Sequence, residues 1–313
     1  MLNNKTIRPI RALVYFYFIS LCGACLYLPD TAGTFLCLTD SYNREIKIDK
    51  APERIISLSP GITEIIFLLR AENKLVGISD YCNFPPETQN ITKAGGLQNI
   101  NIERIISLRP DVVLIGSIIP KNEVDKLEKS GIIVVAIKQE EKLEGMLEAI
   151  TVLGQIVDNV PLADSLVVYY KEKLETYQNG VMSTAMCAGE RQNTPKSVYY
   201  VVSFGTAGDF TAPANTHISE IIRLAGGKNI GDALSTWNVS REYLFAQNPD
   251  FIFVRKEELP HFVKTYPYTL LDAVKKNRVF PIESGWLDVV SPRNFLAIEE
   301  IREKIDIRNT CNN

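Results

Sequence analysis

RIISLSPGITEIIFLL, residues Arg54 to Leu69, decides how the chain is read. Arg54 to Leu58 reads as a buried strand, and Ser59-Pro60-Gly61 breaks it. From Thr63 onward TEIIFLL has the spacing of a helix. Strand, loop and helix N-terminus in that order are the first half of a βαβ unit. Further along, LVGIS (Leu75–Ser79) is a second strand, NIERIISL (Asn101–Leu108) a short helix, DVVLIG (Asp111–Gly116) a third strand and IIVVAI (Ile132–Ile137) a fourth. Continuous apolar strands alternating with helices predict a parallel sheet covered on both faces.

From about Glu141 to Asn179 the periodicity is helical throughout, interrupted near Asp158 to Pro161, where Pro161 can open a second helical segment. VMSTAMCAGERQNTPKS is polar and reads as irregular. Strands resume at VYYVV (Val198–Val202), FIFV (Phe251–Val254) and RVFPI (Arg278–Ile282). The expected fold is therefore α/β, with two βαβ-type lobes of parallel-rich sheet joined by a long connecting helix and a ligand cleft between the lobes. The expected boundaries are 1–38 for an export signal and linker, 44–140 for the N-terminal lobe, 141–180 for the connecting helix region and 190–310 for the C-terminal lobe. An internal echo supports duplication. Thr63-Glu64-Ile65-Ile66 recurs as Ser219-Glu220-Ile221-Ile222. Glu103, seven residues before Pro110-Asp111 and VVLI, recurs as Glu242, seven residues before Pro249-Asp250 and FIFV.

Lys5, Arg8 and Arg11 precede an uncharged apolar run from Ala12 to Leu28, the charge order of an export signal. The run falls short of the roughly 20 residues a bilayer span takes, although a retained anchor is the alternative. Gly23-Ala24-Cys25 fits a lipoprotein cleavage site, which would leave a lipid anchor at Cys25. Cys37, Cys82, Cys187 and Cys311 then remain, and their spacings match no zinc ligand set. The net charge is −3 despite the cationic leader, so nothing favours nucleic acid, whose phosphates require a basic surface. With two histidines, His217 and His261, a metal site built on several imidazoles is unsupported, and no metal or cofactor of its own is expected. No nucleophile elbow, phosphate loop or linked His, Cys and acid set appears, so an enzyme is not expected.

Taken together, RIISLSPGITEI, GISDYCNFPPE, NIERIISLRPDVVL, HISEIIRLAGGKNI and SGWLDVVSPR resemble, in order, the helical-backbone solute-binding proteins of ABC importers. That family carries siderophores, haem, cobalamin and, in a subset, bare metal ions. SDYCNFPPE, STWNVSRE and SGWLDVVSPR are most similar to the cobalamin-binding members. The resemblance implies capture of cobalamin, or a related corrinoid, outside the cytoplasmic membrane and delivery to ABC permease subunits. A ferric siderophore or haem is the alternative ligand, and a membrane-anchored exported sensor or enzyme the alternative class. The likeness departs at Leu97, where cobalamin-binding members carry a pocket tryptophan, and at Arg70, where Gly is usual.

Ligands of open parallel sheets sit at the C-terminal ends of strands. The candidate ligand residues are accordingly Ser59, Pro60, Gly61, Asp80, Tyr81 and Leu97 in the first lobe and Phe204, Trp237, Trp286 and Arg293 in the second. Trp237 and Trp286, the two tryptophans, lie in polar loops, which suits either an aromatic floor for a flat macrocycle or a loop anchor. Arg293 could meet a ligand carboxylate or phosphate, or an acid of its own lobe. His217 could ligate a chelated metal axially or sit in a helix cap. The resemblance also implies that Glu103 and Glu242, one per lobe, dock on arginines of two membrane subunits. Each equally suits the positive end of a helix dipole.

Overall fold

A computed structural model describes residues 33–96, 100–116, 119–138, 142–188 and 195–305, the backbone alone over 182–188. It opens with an antiparallel hairpin, β1 (Leu36–Thr39) and β2 (Glu45–Ile48). The hairpin begins inside the stretch read as linker. Its strands are only four residues long, too short for an alternating pattern to stand out. Asp40 holds the turn: its Oδ1 accepts from the Tyr42 and Arg44 N–H groups at 2.9 and 3.0 Å.

The apolar runs become β3 (Ile55–Ser57), β4 (Leu75–Ile78), β5 (Val112–Ile115) and β6 (Ile133–Ala136), all parallel in the order β4-β3-β5-β6. Helices α1 (Pro60–Leu68), α2 (Ile102–Ser107) and α3 (Lys121–Lys129) link successive strands. Pro60 stands at the first position of α1, where its fixed φ suits the helix and its missing N–H costs nothing. Beyond this helix Arg70 lies in the left-handed region at φ 56°, a conformation that favours the Gly usual at this place.

The helical stretch divides as its Pro161 signal implied, into α4 (Leu143–Ile156) and α5 (Val160–Ala188). The second helix runs past the expected end at 180, into residues read as irregular. Residues 181–188, Val-Met-Ser-Thr-Ala-Met-Cys-Ala, contain neither Gly nor Pro, and polarity alone does not stop a helix. The two helices pack closely: a Cβ added at Gly154 would lie 2.3 Å from that of Ala163.

In the second lobe β7 (Ser197–Val201), α6 (His217–Leu224), β8 (Lys228–Asn229), α7 (Arg241–Gln247), β9 (Phe251–Arg255), α8 (Leu259–Phe262), α9 (Asp272–Lys275) and β10 (Val279–Ile282) follow, before α10 (Asn294–Ile305). This sheet is also parallel, in the order β10-β9-β7-β8. Within each lobe the first strand lies between the second and the third, with the fourth outermost beside the third. The echo in sequence is thus a duplicated topology. Its Pro-Asp pair has a structural role in each copy. Asp111 Oδ2 accepts from the Glu53 and Arg54 N–H groups, both at 2.9 Å. Asp250 Oδ2 accepts from the Ser197 N–H at 2.9 Å. In both lobes the acid ties the start of the third strand to the start of the first.

Successive side chains on a strand point to opposite faces. Val112 and Leu114 enter one core while Val113 and Ile115 enter another. Val198 and Tyr200 divide from Tyr199 and Val201 in the same way. The shared core is continuous between lobes, running through Met146, Ile150 and Leu153 of α4, Tyr170 and Tyr177 of α5 and Phe295 of α10. Burial on both faces explains why the strands read as unbroken apolar runs.

Candidate functional site

Because each sheet is parallel, the loops leaving its C-terminal ends share one edge. Ser59 to Gly61 follow β3, Asp80, Tyr81 and Phe84 follow β4, Phe204 follows β7, Trp237 follows β8, and Trp286 and Arg293 follow β10. Leu97, and Ser117 in the loop after β5, lie outside the described residues.

The two lobes meet through Arg293. Its Nε lies 2.9 Å from Glu64 Oε2, its Nη2 donates to Oε1 of the same carboxylate, and its guanidinium stands 4.3 Å from the Phe84 ring centroid. Arg293 therefore pairs with an acid, as one reading allowed, but the acid belongs to the opposite lobe. The pair is nearly dry, with side-chain exposures of 11% for Arg293 and 4% for Glu64. Burial pushes the Glu64 carboxyl up, while Arg293 and Ser291 oppose that shift. Gly285 makes room, since a Cβ there would come within 2.8 Å of Arg293 Nη2. Glu64 was legible only as part of the repeat. A carboxylate amid the apolar residues of ITEIIFLL is the signal that it needed a buried partner.

The repeat carries the same device differently in the second lobe. Glu220, at the position of Glu64, is also buried, and its Oε2 accepts from the Leu143 N–H at the start of α4 at 2.9 Å. Burial pushes its carboxyl up, opposed by that backbone bond.

Three aromatic rings remain open on these loops: Tyr81 at 60% exposure, Phe84 at 40% and Trp237 at 41%. Trp237 is presented by a rigid backbone, because its carbonyl accepts from the Thr211 N–H at 2.9 Å and Asn238 bridges to Phe210. Asp80 is also exposed, with its N–H bonded to the Gly95 carbonyl. Other candidates are engaged by their own lobe. Phe204 packs edge-on against Phe262 and Tyr268, with centroids 5.0 and 5.6 Å away. Trp286 is half-buried against the shared core. Ser59 and Gly61 are buried, which leaves Pro60 as the more accessible residue of that turn.

Two further arginines on the strand-end side of the second lobe are paired as well. Arg241 Nε donates to Asp209 Oδ2 at 3.0 Å, and Arg255 Nε to Asp288 Oδ2 at 2.9 Å. Sequence reading missed both pairs. His217 does not present its Nε2 to a ligand, for that atom lies 2.7 Å from the Leu287 carbonyl oxygen. No group of three or more potential metal ligands occurs among the described residues.

Glu103 and Glu242 occupy the same place, the second residue of α2 and of α7, behind side-chain caps from Asn101 and Ser240 at 2.9 and 3.1 Å. Both are exposed. Duplication thus displays one acid per lobe at equivalent helix starts.

A family model described as periplasmic binding protein matches residues 55–284. The vitamin B12-binding protein of Vibrio vulnificus is 28% identical over 82% of this chain and 92% of its own. An uncharacterized ABC transporter substrate-binding lipoprotein of Bacillus subtilis, YvrC, is 27% identical over 86% of this chain and 84% of its own. Among solved structures, the periplasmic vitamin B12 binding protein BtuF of Vibrio cholerae superposes with a TM-score of 0.69 at 25% identity, covering 82% of this chain and 98% of that one. A periplasmic heme binding protein of Pseudomonas aeruginosa shares the fold, with a TM-score of 0.72 at 19% identity, over 81% and 92% of the two chains. With a matching model that spans most of both lobes, the chain belongs to the periplasmic binding protein family.

Proposed function

We propose that this protein is the solute-binding component of an ABC importer, that it captures cobalamin or a related corrinoid between its lobes, and that it hands the ligand to the permease. The observation that carries the reading is the set of open aromatic rings, Tyr81 and Phe84 from one lobe and Trp237 from the other, on strand-end loops. A flat macrocycle offers two broad faces, and rigid rings contribute contact area to such faces at small entropic cost. Family membership and the vitamin B12-binding relatives support the ligand class. The shared fold of heme-binding proteins keeps haem as a second reading, but Arg293, Arg241 and Arg255 are each paired with an acid, and haem brings two carboxylates of its own.

The role is one of binding, not catalysis. An exported location follows from the leader, and lipidation at Cys25 from Gly23-Ala24-Cys25, with a lipoprotein among the relatives. Among the described residues no helix is long and apolar enough to cross a membrane. Glu103 and Glu242 dock the loaded protein, since a permease of two like subunits needs one contact from each lobe. Titration calorimetry with cyanocobalamin, haem and ferric siderophores tests the ligand. One-to-one binding of the corrinoid is expected, and tight binding of a ferric chelate alone would leave the family and overturn the ligand.

A further inference from the structure

We infer that Glu64 sets the charge selectivity of the cleft by occupying Arg293, so that the site discriminates against ligands presenting a carboxylate there. The inference rests on the interlobe binding reading above. An arginine on a cleft loop is ordinarily an anion receptor, because its planar fork matches a carboxylate with two parallel hydrogen bonds. Here that fork is already filled. Glu64 accepts from both Nε and Nη2, and Phe84 covers a face of the guanidinium. The receptor carboxylate is supplied by the protein itself, from the opposite lobe and from the first turns of a helix whose apolar side is packed in the core.

The same arrangement fixes what a ligand meets at this point. A neutral amide can lie against the closed pair without disturbing it. A carboxylate must either displace Glu64, leaving that acid buried and unpaired, or remain beside it as a like charge. Glu64 acts through Arg293 and is a positioning residue rather than a ligand contact.

The test compares cyanocobalamin with each of its monocarboxylic acid derivatives, in which one peripheral propionamide has become a carboxylate. The ring is unchanged and only one charge is added. Affinities are measured by calorimetry for the full chain and for Glu64→Gln, Arg293→Gln and the double variant, with thermal unfolding followed separately. In Glu64→Gln the amide-to-acid affinity ratio should shift toward the acid by about tenfold to a hundredfold for at least one derivative, the yield of one charge-assisted hydrogen bond. Arg293→Gln should shift it the opposite way, and the double variant should return it to the wild-type value. Loss of stability alone would not reverse sign between the single variants or be rescued in the double. If Glu64→Gln fails to fold, the Arg293→Gln shift decides. Ratios within twofold of wild type in every folded variant overturn the selectivity role while leaving corrinoid binding intact. A wild-type chain that binds no corrinoid at all removes the functional reading, and this inference with it.

Discussion

Replacing Trp237 with alanine measures directly whether the open ring is a ligand surface. A tryptophan presents about 250 Å² when fully exposed, so its exposure of 41% leaves roughly 100 Å² of ring for a ligand to cover. At about 25 cal/mol per Å², complete cover is worth about 2.5 kcal/mol, or roughly 70-fold in affinity. Cover on one face alone gives about half that energy, or roughly eightfold. Trp237→Ala should therefore weaken cyanocobalamin binding by about 8- to 70-fold. The fold should persist, because the backbone bonds that position residues 237–239 involve no indole atom: Trp237 O accepts from Thr211, and Val239 N–H donates to the Asp209 carbonyl. Calorimetry gives the affinity and circular dichroism the fold. A folded variant that binds within threefold of wild type would refute the reasoning and assign the ring to surface packing.

Three other outcomes are expected. Glu103→Ala combined with Glu242→Ala should abolish uptake in cells and leave ligand affinity unchanged, since exposed charges contribute little singly but two form the whole proposed contact; normal uptake, or lost ligand binding, would remove the docking role. Arg70→Gly should raise stability by about 1 kcal/mol in urea unfolding, because relief of the left-handed backbone at φ 56° outweighs the extra chain entropy of glycine; a loss of stability would mean that the Arg70 side chain contributes more than its backbone costs. Burial holds the Glu220 carboxyl above the ordinary value of 4.5 in the folded protein, so the native state binds more protons than the unfolded chain and stability falls as pH rises from there through the raised value. The stability of wild type relative to Glu220→Gln should accordingly be greatest at low pH and shrink toward neutrality, and a difference that is flat or grows with pH contradicts the assignment.

Much of the fold is legible in the linear chain because its signals are local. Val112 to Ile115 is apolar at every position since both faces of the sheet are covered, and that pattern needs no partner to be recognised. The hairpin at Leu36 to Ile48 left no comparable mark. Its strands are short, and its turn depends on Asp40 receiving two backbone N–H groups and the Arg44 guanidinium. The end of α5 was misplaced because Ser and Thr in residues 181–188 resemble loop composition, although nothing there breaks a helix. For the candidate site, residue types and strand-end placement could be read for Tyr81, Trp237 and Arg293, but exposure could not. Phe204 and Trp286 look equivalent to Trp237 in sequence, yet the first is held by Phe262 and Tyr268 and the second by the shared core.

By itself the sequence determined the α/β class, the duplication and the family, and it named the strand-end loops and helix starts from which the proposed contacts come. The class and the duplication follow from periodicity and spacing over a few tens of residues, within which the backbone geometry of helix and strand leaves little choice, and the family from the resemblance of whole motifs. Only the tertiary structure decided what Arg293 does. Its partner Glu64 lies 229 residues away in the other lobe, and a charge is assigned its partner by the packing that removes both from water, which no local pattern encodes.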